Sequence, residues 1–550
     1  MIQGTGSGAG KSLVVAALCR IFSDQGISVA PFKAQNMALN SSITAEGGEI
    51  GRAQALQARA ARVDSLNDMN PVLLKVSGNG GSQVIIHGKV HATMKAREYY
   101  AFRDHAWKAV TASYARLAEQ HDLIVLEGAG SPAEINLLDV DIVNMAMAKH
   151  AKAPVLLVAD IDKGGVFASL YGTVKLLGRD SRHIKAFIIN KFRGDKTILD
   201  PGLDMIRKKA GRPVIGVLPY ITDLGLPEED GLALARSAEP STRAQAEGCG
   251  VRSAEGKTVK IVIVRLKYIS NFTDFDPLAL EPDTEVVYSD SPSEIESADL
   301  VILPGSKNTV TDLLLLKEKG LVDCIRRAYD RGTEIIGICG GYQMLGRRID
   351  DPQGTESVHR SVEGIGLLNI DTLFGSEKKT CRVEAEIVGS AECGAFDPSS
   401  GRGLRSVEWK SEDILKGYEI HMGASTGDIG LFRVRRSAVD SAFRVEKAPS
   451  PFFPLPPGER GRGEGHVYPH SAFVLDGSMN KNCWGTYLHG IFDNDLFRRG
   501  IIDHVRKKKG IPPGKSGLRY SEFQEQALDR LARVVREHVN MDFVREMLKL

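Results

Sequence analysis

With 550 residues, 42% of them hydrophobic and 25% charged, the chain holds enough apolar material for two large domains or several of about 150 residues, which excludes a disordered polymer. Lysine and arginine total 71 against 69 acidic residues, a formal charge of +2, so the basic excess of a protein that lives on nucleic acid or an anionic membrane is missing. The densest basic cluster, Arg506–Lys509, reads as a solvated helix end. Apolar runs such as Val155–Ala159 are strand-sized and far short of a membrane span. The first residues run straight into a glycine-rich loop without a signal peptide. Seven cysteines are scattered, odd in number and never spaced CxxC. Together these point to a reducing cytoplasm, with no disulfide framework and no zinc site.

The first predicted element is the loop Gly4-Thr5-Gly6-Ser7-Gly8-Ala9-Gly10-Lys11-Ser12, followed by a helix-like stretch over Leu13–Phe22. Glycines allow successive backbone N–H groups to face one concavity, and the helix start adds its positive dipole end. Gly4, Thr5, Gly8 and Gly10 would cradle phosphates, Lys11 would reach the terminal ones, and the Ser12 hydroxyl would hold Mg²⁺. Ordinary P-loop spacing puts the first glycine at position 5, which is Thr5; starting at Gly4 makes this loop one residue longer. Only three residues precede it, where a feeding strand usually has about five or six.

Short apolar runs then alternate with helical stretches to about residue 225, the pattern of a parallel sheet covered by helices. The predicted strands are Ile27–Phe32, Leu123–Leu126, Val155–Ala159, Ala186–Ile189 and Val214–Leu218. Ligands of open α/β sheets bind at strand carboxyl ends. Leu123–Leu126 delivers Glu127 there, ahead of Gly128-Ala129-Gly130, as a second Mg²⁺ ligand. Val155–Ala159 likewise delivers Asp160 and Asp162. Glu49 reads equally as a metal ligand or a plain loop residue. Residues 226–257, rich in Glu, Ala, Ser and Gly, form a linker.

A second α/β unit spans 258–512. Its predicted strands are Val259–Val264, Leu300–Leu303, Glu334–Ile338, Cys381–Val388, Gly417–His421 and Trp484–Leu488, with a Pro/Gly-rich surface insertion near 447–466. Gly337-Ile338-Cys339-Gly340-Gly341-Tyr342-Gln343 puts Cys339 on a sharp strand-to-helix turn, where small neighbours expose the thiol and the helix dipole favours a nucleophile. A base must come from elsewhere in the chain, and His489 ends the strand run Trp484–Leu488. His421 reads as a pocket or structural residue. Gly305, in the turn after Leu300–Leu303, and Gly340 offer backbone N–H groups to an oxyanion; the alternative for Gly305 is an ordinary Pro-Gly turn. Over 513–550, Phe523, Ala527, Leu528, Leu531, Val534, Val535 and Val539 recur at helical spacing, predicting a docking amphipathic tail.

The Gly4–Ser12 loop resembles that of dethiobiotin-synthetase-like ATPases, and G-x-C-x-G-x-Q at Gly337–Gln343 fits class I glutamine amidotransferases. Their combination resembles the cobyric acid synthase family over nearly the whole chain. The runs Phe32–Ser41 (with Gln35-Asn36-Met37), Gly48–Ala55, Asp68–Lys75 and Ile269–Leu278 carry the resemblance. It implies two doubly wound α/β domains, a P-loop synthetase (1–225) and a flavodoxin-like glutamine amidotransferase (258–512), followed by a helical tail.

It also implies amidation of the b, d, e and g carboxylates of adenosylcobyrinic acid a,c-diamide with glutamine and Mg-ATP. Cys339 would be the nucleophile and His489 the base. Lys33 would join the ATP-binding residues, and Asn190 matches the family's base-recognition position. The partners implied are these small molecules, with neither nucleic acid nor membrane. Class I amidotransferases usually carry a Glu two residues after the catalytic His; here that position is Ile491, as in Cys–His dyad members. Two alternatives use the same parts: an amidotransferase for another carboxylate, disfavoured by Gln35-Asn36-Met37, and a MinD-like regulatory ATPase with a scaffold glutaminase, disfavoured by the intact Cys339 and His489.

Overall fold

A computed structural model describes residues 1–77, 81–222, 224–227, 258–388, 414–437 and 473–550. The Pro/Gly-rich insertion and all but the start of the linker lie outside the described residues.

In the N-terminal half, Ile2–Gly4, Val155–Asp160, Ile184–Phe192 and Val214–Pro219 pair in that order, all parallel. Val29–Phe32 pairs with Leu123–Leu126, and a bridge between Ile2 and Glu127 joins the two groups. The first strand is short, yet all three of its residues pair with Leu156–Val158. Alternate residues enter opposite cores: Val155, Leu157 and Ala159 face one layer of helices, Leu156 and Val158 the other. A separate four-stranded sheet (Gln35–Met37, Val72–Ser77, Gly81–Ile86, Lys89–Lys95) was not predicted.

In the C-terminal half, Thr284–Ser289, Val259–Val264, Leu300–Leu303, Glu334–Ile338 and Cys483–Thr486 form a parallel sheet, edged by antiparallel Ser478–Asn480. The predicted strands Cys381–Val388 and Gly417–His421 are not part of it. They belong to a second sheet built on the antiparallel pair Ile370–Ile387 and Leu415–Gly427. Its short strand Leu488–His489 pairs with Glu419 and Tyr418, which brings His489 to the end of the parallel sheet. The basic cluster is not freely solvated: Arg506 reaches Asp283, Lys508 reaches Glu334 and Lys509 reaches Asp299.

The tail forms helices Tyr520–His538 and Met541–Leu548 and packs on the N-terminal half. Its Ala527, Leu528, Leu531 and Val535 share a core with helix α1 (Lys11–Ser23). Val539 bridges to Gly216 on the edge strand. Arg20 of α1, fully buried, is neutralised by Glu525 at 2.6 Å and Asp529 at 3.3 Å.

Candidate active site: a buried cysteine triad and a phosphate loop

Cys339 stands at φ 52°, ψ −108°, between the strand Glu334–Ile338 and the helix Gly340–Leu345. A non-glycine residue keeps such a backbone only where its surroundings enforce it. Its N–H donates to Thr486 O at 2.8 Å, and its carbonyl accepts from Gln343 N at 3.1 Å. The motif glycines are steric necessities. A Cβ on Gly341 would stand 2.0 Å from Leu303 O, and one on Gly337 2.7 Å from Tyr342 N. Gln343 ties the helix to the second sheet, donating to Met422 O at 2.8 Å.

His489 interacts with Cys339 and places its Nδ1 2.6 Å from Asp274 Oδ2. Asp274 is the residue that the sequence reading missed. The expected dyad has a third member, supplied by the turn Phe272–Phe275 instead of from Ile491. All three residues are buried. Burial opposes the charge of His489, but Asp274 and Cys339 outweigh it and raise the imidazole to about 10. The Tyr418 ring stacks on His489 at 5.3 Å, and its hydroxyl donates to Asp274 Oδ1 at 3.1 Å. A thiol, an imidazole and a carboxylate in this order form a nucleophile–base–orienter arrangement. His421 lies outside it: it stacks on Tyr487, and burial lowers it to about 4.

Gly305 and Gly340 flank the triad. A Cβ on Gly305 would meet His489 Cε1 at 3.3 Å, and one on Gly340 would meet Ser306 N at 2.9 Å.

In the other half, Gly8 and Gly10 take left-handed φ values of 71° and 95° as the loop turns into α1. Gly4 ends the first strand, and Thr5 N–H donates to Val158 O at 2.9 Å. Lys11 Nζ donates to Gly6 O and Gly130 O at 3.0 and 3.1 Å. Because Glu127 bridges to Ile2, its carboxylate reaches the loop: Ser12 Oγ donates to Glu127 Oε1 at 2.8 Å. Lys33 Nζ donates to the same oxygen at 3.0 Å, and Gln54 and Gln57 donate to Oε2 at 3.2 and 2.5 Å. The adjacent oxygens of Ser12 and Glu127 suit a hard cation such as Mg²⁺, which takes one or two protein oxygens and completes its shell with phosphate and water.

Asn190 braces the loop, with Nδ2 donating to Ala9 O at 2.9 Å. Asp160 holds Lys191 at 3.0 Å, and Lys191 in turn donates to Gly8 O. Asp162 faces Arg193.

Glu49 is placed differently from a metal ligand. Its Oε1 accepts from Ser41 Oγ and Lys75 Nζ, each at 2.7 Å, and its Oε2 accepts from Lys378 Nζ of the other half at 2.5 Å. Burial opposes its ionisation, yet the two ammonium groups hold it far below the carboxylate range. Each oxygen of Glu49 thus meets an ammonium group, and one of the two comes from the other half.

Among the described residues five cysteines are free, and no helix is long and apolar enough to cross a membrane.

Residues 1–234 match the family model described as the CobQ/CobB/MinD/ParA nucleotide binding domain, and residues 260–497 match the CobB/CobQ-like glutamine amidotransferase domain. Over its whole length the chain is 44% identical to a cobyric acid synthase of Thermodesulfovibrio yellowstonii, covering 99% of that protein. It is 46% identical to the one of Nitratidesulfovibrio vulgaris (97% covered) and 42% identical to the one of Syntrophobacter fumaroxidans (98% covered). With both of its halves and its full length matched, the chain belongs to the cobyric acid synthase family.

Proposed function

We propose that this protein amidates the b, d, e and g carboxylates of adenosylcobyrinic acid a,c-diamide, in the cytoplasm, with glutamine as nitrogen donor and Mg-ATP as activator. The observation that carries the reading is the presence in one chain of the Cys339–His489–Asp274 triad and the Gly4–Ser12 loop closed on Glu127. Residues 258–512 act as the glutaminase, 1–225 as the synthetase, and 513–550 pack as a tail on the synthetase.

In the glutaminase, Cys339 Sγ attacks the glutamine side-chain carbonyl. The oxyanion lies against the N–H groups of Gly305 and Gly340. His489, oriented by Asp274, gives its proton to the departing ammonia, then takes one from the water that releases glutamate from the thioester.

In the synthetase, Gly4, Thr5, Gly8 and Gly10 with Lys11 bind the ATP phosphates, and Asn190 braces that loop. A corrinoid carboxylate oxygen takes the γ-phosphoryl group, ADP leaves, and ammonia displaces phosphate from the acyl phosphate to give the amide. A carboxylate resists ammonia until its oxygen becomes such a leaving group. Ser12 and Glu127 would hold Mg²⁺, which neutralises phosphate charge during transfer, and Lys33 balances Glu127.

Mass spectrometry of the corrinoid after incubation with glutamine and Mg-ATP tests the assignment. Four successive replacements of OH by NH₂ are expected. Cys339→Ser should lower glutamate release by about 10⁴-fold or more, while ammonium salts still support amidation. An unmodified corrinoid beside active glutaminase would assign a different acceptor.

A further inference from the structure

The turn that carries Asp274 belongs to the C-terminal half, yet several of its polar restraints come from the N-terminal half. Asn40 Oδ1 accepts the Phe272 N–H at 3.2 Å, and the Ser41 N–H donates to Asn271 Oδ1 at 3.0 Å. Asn271 itself has a left-handed φ of 52°, which a non-glycine holds at a cost when its neighbours fix it.

Arg52 reaches furthest. It is the first residue of helix α2 (Arg52–Ala60). Its Nε donates to Thr273 Oγ1 at 3.2 Å, and its Nη2 lies 3.9 Å from Asp274 Oδ1. Its guanidinium stands 5.7 Å from the centre of the Tyr418 ring that stacks on His489. Asp274 can present Oδ2 to Nδ1 of His489 only while Oδ1 stays turned toward Tyr418, the Gly490 N–H and Arg52. The same helix grips the phosphate site one turn later, where Gln54 and Gln57 donate to Glu127.

We propose that Arg52 is a positioning residue of the glutaminase, a cation lent by the nucleotide-binding half that fixes the Asp274 turn and thereby the orientation of His489. The proposal rests on the glutaminase reading of Cys339, His489 and Asp274. The charged and titratable groups facing this corner are Asp274 and Cys339 around His489, Tyr418 of the second sheet, Asp493 after the His489 strand, and Tyr520 of the tail. Removing a buried cation from that set strengthens the hold of His489 on the proton it gives to the departing ammonia, so the alkaline limb of glutamine hydrolysis, where that proton is lost, moves to higher pH.

The test measures glutamate release against pH and glutamine concentration in the full-length protein and in Arg52→Gln, Arg52→Lys and Thr273→Val. Arg52→Gln is expected to lower kcat about 30-fold, to leave KM for glutamine within about twofold, and to move the alkaline limb up by about one pH unit. Arg52→Lys should return the limb to the parental position and recover most of kcat. An Arg52→Gln protein with parental kcat and alkaline limb overturns the proposal, and so does a loss that lies in KM alone or that lysine does not relieve. If Arg52→Gln does not fold, Thr273→Val decides: a loss of about fivefold in kcat supports the proposal, and parental kcat overturns it. A parent protein without glutaminase activity defeats the reading of the triad itself; an active parent with an indifferent Arg52 defeats only this proposal.

Discussion

The cysteine corner and the phosphate loop both occupy the carboxyl edge of a parallel sheet, and they handle charge in opposite ways. In the corner, Cys339, His489 and Asp274 are buried together, and the charge of the His489 imidazole is held by its protein neighbours. At the loop, Lys11 and Lys33 bring two ammonium groups beside the left-handed Gly8 and Gly10, with Glu127 as their main counterweight. A covalent nucleophile must be balanced by protein groups before substrate arrives. A phosphoryl-transfer site takes most of its negative charge from the substrate, so the protein supplies excess donors.

The comparison is broken hardest at Asp274. Asp274→Asn should lower kcat for glutamine hydrolysis by roughly 10³-fold, because the amide that replaces Oδ2 cannot both accept from Nδ1 and balance an imidazolium. A loss below tenfold would mean that Cys339 and His489 work as a dyad. At the other site, Glu127→Gln should lower ammonium-supported, ATP-dependent amidation by roughly 10²-fold, a smaller loss because Ser12, Lys11 and the backbone remain. Rates measured with ammonium bypass the glutaminase and keep the two sites apart.

The smallest effect is on stability. His489 has its folded-state value raised from 6.5 to about 10, so its contribution to stability is fully present below about pH 6.5 and is lost as pH rises through 10. Urea unfolding of the parent should therefore show stability falling between those limits, with a shallower fall in Asp274→Asn. An equal slope in both proteins would remove Asp274 as the source of the shift.

These two regions also differ in how far the sequence betrays them. Cys339 was legible because its elbow is a local steric problem: Gly337 and Gly341 have no room for a Cβ, and that requirement stays within a few residues. The loop was legible for the same reason, through Gly8 and Gly10. Asp274 was not, because its relation to His489 spans 215 residues and exists only after the second sheet places Leu488–His489 beside Tyr418. Glu49 stays open in sequence because a buried acid looks alike whether its partner is a metal or a lysine; Lys378 lies in the other half.

The parallel strands show as continuous apolar runs, whereas of Ile370–Ile387 only the part from Cys381 onward reads as a strand, its middle being rich in Glu and Lys. Helical spacing revealed the tail, but not that it would return to the first domain. Periodicity reports that a face is covered and is silent on what covers it.

That return couples the stability of the nucleotide-binding half to the order of synthesis. Helix α1 leaves the ribosome long before Leu528, Leu531 and Val535, which complete its core. Until the tail is made, this half therefore shows an apolar flank and the guanidinium of Arg20 without its two carboxylates, the kind of surface that chaperones hold. Only when Tyr520–His538 has emerged can that half finish folding, so a chain ended before this helix forfeits a core whose other residues have all been made.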